Sequence, residues 1–115
     1  MMMSSIFKPY FDDKNSLAAV VRDAKMIPHS IGRKTLVGYF NYIDKNKNLI
    51  NQLTKTKVPV YYVRGEKDDI KFTDKDKAAL NSSDCIKIVE IKDARHFAMI
   101  DKPDEIAKII VDALD

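Results

Sequence analysis

The chain has 115 residues, enough for one modest domain, with 45% hydrophobic and 32% charged residues in the balance of a globular protein. Its 20 basic and 17 acidic residues are interleaved, so the net charge of +3 reads as a solvated, lysine-rich surface and argues against a nucleic-acid-binding footprint. No run approaches the roughly 18 apolar residues of a membrane span, and a lone cysteine, Cys85, permits no internal disulfide and suits a reducing compartment.

The start, Met1-Met2-Met3-Ser4-Ser5, has no long apolar stretch, so no secretory leader is expected and the predicted location is cytoplasmic. The first ten residues are expected to be loose. The spacing then predicts a short helix over Ser16 to Lys25, with Asp13 or Ser16 as its cap and Pro28 as its stop. A longer helical stretch is predicted from Arg33 to Leu53. Its apolar stripe of Leu36, Tyr39, Phe40 and Ile43 is interrupted by Asp44-Lys45-Asn46-Lys47-Asn48, which places a turn near Asn46. Aromatics at this spacing are expected to be core. His29, in a loop without a motif, is expected at the surface.

Val58-Pro59-Val60-Tyr61-Tyr62-Val63 is a short β-branched and aromatic run closed by Arg64-Gly65. It predicts a strand buried on both faces, with Pro59 at its opening where a missing N–H does no harm. Thr73 to Leu80 reads as a helix, with Thr73 and Asp76 at capping-box spacing. Cys85 to Ile91 predicts a second strand, which Lys87 marks as an edge, and Cys85 is expected to be a small buried apolar side chain. The last helix opens on Pro103-Asp104-Glu105 and carries one apolar face of Ile106, Ile109, Ile110, Ala113 and Leu114.

A strand–helix–strand of this length implies two parallel strands joined by a right-handed crossover. Chemistry in such sheets collects just beyond the C-terminal strand ends. Two segments reach that place, Gly65-Glu66-Lys67-Asp68-Asp69 and Asp93-Ala94-Arg95-His96-Phe97. A carboxylate and an imidazole would thus emerge from strands about 4.8 Å apart. A carboxylate that accepts the Nδ1–H of an imidazole fixes its tautomer and stabilises the imidazolium formed when it acts as a base.

At these residues a resemblance becomes specific. Val58 to Asp68, with Pro-Val, an apolar run and Gly-x-x-Asp, resembles the penultimate strand and acid turn of the α/β-hydrolase superfamily. His96-Phe97-Ala98-Met99-Ile100-Asp101-Lys102-Pro103-Asp104-Glu105-Ile106 is similar to its histidine segment, in which an acidic or polar residue and x-Pro lead into the final helix. The resemblance implies an α/β fold: the C-terminal portion of the hydrolase fold, two parallel strands with flanking helices, covering residues 55–115. A helical cap-like segment would occupy residues 1–54, with Tyr39, Phe40 and Tyr42 lining it. It implies Asp68 as the catalytic acid, ahead of Asp69, and His96 as the general base. Phe97 and Met99 would serve mainly in packing. No metal and no cofactor are implied.

The chain departs from the family at the nucleophile. Its only glycines are Gly32, Gly38 and Gly65, and none flanks a serine, cysteine or aspartate in a Gly-x-Ser-x-Gly turn. The oxyanion-hole segment is missing as well. The expected function is therefore that of a C-terminal part of a serine-type hydrolase acting on a small ester, amide or similar acyl substrate, inactive by itself, with an aspartate nucleophile left open. The alternative is a non-catalytic binding or assembly module that keeps part of the fold. The strand at 58–63 would lack a neighbour on one side. That predicts pairing with a second copy or with a partner carrying the nucleophile half, and no membrane or nucleic-acid partner.

Overall fold

The structure, a computed structural model, describes residues 2–115. The chain divides into two units, one ending at Leu49 and the other running Ile50–Asp115.

The first unit is helical. Residues expected to be loose form α1 (Met2–Phe7) and a 3-10 turn at Lys8–Tyr10. The physical reason is periodicity: Met3, Phe7 and Tyr10 recur at helical spacing and are half-buried, and Phe11 is buried. The next helix, α2 (Lys14–Lys25), begins two residues before Ser16 because Asp13 is its cap. The Asp13 carboxylate accepts the Ser16 amide at 2.8 Å and the Ser16 hydroxyl at 2.7 Å. Those hydrogen bonds, from the hydroxyl first and the amides of Ser16 and Asn15 next, hold the Asp13 carboxyl below the usual carboxylate range.

As expected, α2 stops at Lys25, three residues before Pro28. Pro28 directly precedes α3 (His29–Lys45), which starts four residues ahead of Arg33. The fixed φ of proline suits this position, and its carbonyl accepts the amides of Ile31 and Gly32 at 3.0 Å. The turn near Asn46 is present. Its side-chain amide donates to the Tyr42 carbonyl at 2.8 Å and closes the helix. No residue of α3 is buried, so the expected aromatic core does not form there. Tyr39, Phe40 and Tyr42 are all more than half exposed, and Tyr39 meets Phe40 edge to face. His29 is exposed.

The chain continues through α4 (Leu49–Leu53) into β1 (Val60–Gly65), α5 (Asp74–Asn81), β2 (Ile86–Ile91), α6 (Ala98–Asp101) and α7 (Pro103–Leu114). The strands pair in parallel, from Val60 beside Ile86 to Gly65 beside Ile91. Pairing starts at Val60, whose N–H donates to the Cys85 carbonyl at 2.8 Å; the nitrogen of Pro59, one residue earlier, lies on the side away from β2, where its missing N–H costs this ladder nothing. The expectation that β1 is buried on both faces fails. Tyr61 is 38% exposed, since a two-stranded sheet cannot cover both faces. Lys87 is exposed as an edge residue would be, and Cys85 is half-buried rather than buried.

Between the strands, α5 opens with a reciprocal capping box. Thr73 Oγ1 accepts the Asp76 amide and Asp76 Oδ2 accepts the Thr73 amide, each at 3.1 Å. The helix delivers Leu80, which is fully buried. At the strand ends Ile91, Ala94 and Ala98 form a buried cluster, with Val63, Val89, Ile106 and Ile109 packed on it. The apolar face of α7 is used only in part. Ile106 and Ile109 reach the cluster, whereas Ile110 and Leu114 are exposed, Leu114 at 83%. Ile110 follows Ile109 by one residue, about 100° further round the helix, and Leu114 lies beyond the last residue packed on the cluster.

Candidate functional site

Two loops leave the parallel strands at the same end and are fastened to each other by backbone. The Glu66 amide donates to the Ile91 carbonyl at 2.9 Å, and the Lys67 amide to the Ala94 carbonyl at 2.8 Å. The Lys67 ammonium reaches Asp93 Oδ1 at 3.1 Å, an exposed pair that adds little to stability. Asp93 turns the β2 loop through the left-handed region, with φ of 59°, a conformation aspartate tolerates better than most residues.

Gly65 makes the close approach feasible. It is buried, and a Cβ there would collide with the carbonyl oxygens of Ala94 and Arg95 and lie 2.6 Å from the Ala94 carbonyl carbon. No side chain fits between the two backbones. Glycine serves here through missing volume rather than unusual dihedral angles, since no glycine among the described residues has positive φ.

The turn after Gly65, closed by the Asp68 amide on the Gly65 carbonyl at 3.2 Å, brings the Asp68 carboxylate towards the β2 loop. Its oxygens lie 3.1 and 3.2 Å from His96 Nδ1, and Oδ1 also accepts the Ile70 amide at 3.0 Å. The Asp68 side chain is 11% exposed and that of His96 33%, so the contact is largely shielded from water. A proton on Nδ1 satisfies this contact, and the neutral ring then carries its lone pair on Nε2. Such an imidazole can accept a proton at Nε2 while the carboxylate steadies the resulting cation.

Further side chains shape the two loops. Arg64 lies over the Phe72 ring at 4.7 Å and donates to the carbonyls of Gly65 and Asp68 at 3.4 and 3.3 Å. Tyr62 stacks on the same ring at 5.4 Å. In the β2 loop, the Arg95 amide donates to Asp101 Oδ2 at 2.7 Å. Phe97 is half-buried and meets the His96 ring edge-on at 4.9 Å.

The structure therefore brings Asp68 and His96 together and leaves Asp69 exposed. Met99, expected to pack, is 55% exposed. The roles of Arg64 and Asp101 in holding the loops were not read from the sequence. Both bond to backbone groups, and no side-chain motif marks such a bond. Among the described residues no group of three or more His, Cys, Asp and Glu side chains is placed to hold a metal ion, and no helix is long and apolar enough to cross a membrane. Comparison of the chain with protein-family models, curated proteins and solved structures finds no match.

Proposed function

We propose that this chain is the acid-and-histidine-bearing C-terminal part of an α/β-hydrolase-type enzyme. In the intact enzyme a nucleophile from outside this sequence would lie at His96 Nε2. The imidazole would remove its proton, and Asp68 would hold the ring in the required tautomer and stabilise the imidazolium. The substrate class is a small ester, amide or related acyl compound. One observation carries the reading: a shielded carboxylate meets Nδ1 of an imidazole at 3.1 Å across the adjacent exits of two parallel strands.

By itself the pair can assist only water. General-base help of that kind acts only on an acyl group held beside the pair, and the oxyanion donors that would hold it and carry acyl transfer would come from the same outside segment as the nucleophile. The chain alone should therefore show no esterase turnover above background with an activated aryl ester. Turnover that disappears in His96→Ala would overturn the assignment of the nucleophile to another segment. Fusion to an upstream coding segment containing a Gly-x-Ser-x-Gly turn should produce activity dependent on both Asp68 and His96. A fused protein that is active with Asp68→Ala and His96→Ala together would refute the reading.

A second reading, an assembly module, is favoured by the open edge of β1. Parallel pairing alternates, and the amides of Val60 and Glu66 are directed to β2. The amides of Tyr61 and Val63 therefore face away from it, where they could pair with another strand. This reading expects a mass above that of the monomer by light scattering at high micromolar concentration, and a monomer would count against it.

A further inference from the structure

We propose that Asp101 is a positioning residue for His96, holding the loop that presents the imidazole to Asp68; the inference rests on the reading of Asp68 and His96 as a working pair. Asp101 closes α6 and reaches back six residues to the Arg95 amide, with Oδ2 at 2.7 Å. The return direction is also bonded. The amides of Ile100 and Asp101 donate to the Phe97 carbonyl at 2.8 and 3.2 Å. The segment from Arg95 to Asp101 is thus closed by a carboxylate on the amide at one end and by a carbonyl inside it. His96 lies between the two fastenings, one residue from each.

Several features make the carboxylate suited to this task. The contact is half-buried and charge-assisted, which makes it shorter and stronger than a bond between neutral groups. Upstream of Arg95 the backbone is already fixed by Asp93 in the left-handed region and by the Ala94 carbonyl on the Lys67 amide. Downstream, Ala98 is buried in the cluster at the strand ends. Between these anchors the Arg95 amide needs a local acceptor, and Asp101 supplies one. Without it, the residues around His96 gain freedom to turn the ring away from Asp68, while the sheet and cluster keep their own contacts.

The test reads the ring itself. At pH about 9, well above the ordinary imidazole range, nitrogen-15 NMR of His96 reports the ratio of the Nδ1–H and Nε2–H tautomers. Asp68→Ala removes the acceptor and should lower that ratio about tenfold. Asp101→Ala should lower it at least about threefold with an unchanged far-ultraviolet spectrum, and Asp101→Asn, which keeps an acceptor oxygen, should stay near the parent value. A folded Asp101→Ala chain with the parent ratio would overturn the proposal. A ratio unmoved by Asp68→Ala would instead overturn the pair itself, so the two failures are distinguishable. Hydrogen exchange on the unaltered chain tests the clamp even if the alanine variant does not fold. The Arg95 amide should exchange at least about 100-fold more slowly than in an unstructured chain. An unprotected amide would overturn the proposal.

Discussion

Replacing Gly65 by alanine tests the close approach on which the site is built. The new Cβ would lie 2.6 Å from the Ala94 carbonyl carbon and closer still to the carbonyl oxygens of Ala94 and Arg95, where ordinary contact begins at 3.4 Å, so that backbone must retreat by at least about 0.8 Å. The obstacle is main chain, which cannot rotate aside as a flexible side chain would. Overpacking of this kind costs about 1–3 kcal/mol. The retreat also strains the Lys67 amide–Ala94 carbonyl bond, which contributes about 1 kcal/mol. A total near 2–4 kcal/mol should lower the melting midpoint by roughly 8–32 °C at about 4–8 °C per kcal/mol for a small domain. Circular dichroism melts would measure it, with Gly38→Ala as the control. Gly38 sits within α3 and a Cβ there meets nothing within 4 Å. The same substitution should therefore favour that helix by about 0.5–1 kcal/mol. A Gly65→Ala midpoint within about 2 °C of the parent would refute the argument that the loops meet with no room for a side chain.

Truncation along α7 should be unequal. Ile106→Ala, at the strand-end cluster, should cost about 1–2 kcal/mol, below the value for a fully buried isoleucine, whereas Leu114→Ala should lie within about 0.5 kcal/mol of the parent in urea titrations. Arg64→Met keeps an aliphatic stem beside Phe72 but removes both donors to the acid turn. It should lower the Nδ1–H tautomer fraction of His96 in nitrogen-15 spectra, and an unchanged fraction would show that the turn holds without it. Asp13 and Asp76 both titrate below the ordinary carboxylate value of 3.8; for Asp76 the Thr73 hydroxyl hydrogen bond is the leading cause and the Thr73 amide the next. Their folded pKa is depressed, so their contribution is complete above the unfolded value and is lost as pH falls through the folded one. The amides of Ser16 and Thr73, which donate to those two carboxylates, should lose exchange protection over that acid window. Asn at position 13 or 76 should remove the pH dependence at its own helix.

Much of the local structure was legible in the chain. Thr73 and Asp76 stand three apart and form the capping box. Asn46 interrupts an apolar stripe and ends α3, and two β-branched runs form the parallel strands. These features depend on neighbours within a few residues, where side-chain spacing and hydrogen-bonding chemistry suffice. The sequence also placed Asp68 and His96 after consecutive strands, and parallel pairing puts both at one end of the sheet. What it could not supply was the amount of surface available to cover. Tyr39, Phe40, Tyr42, Ile110 and Leu114 carry the apolar pattern of buried residues and lie exposed, because burial requires an opposing surface that a periodic pattern does not itself provide. The tight passage at Gly65, the Asp101 carboxylate on the Arg95 amide and the Arg64 donors to the acid turn all join groups through the backbone of folded loops. Only the tertiary structure decides such contacts, because a carbonyl or amide becomes a partner only after the chain has brought it there.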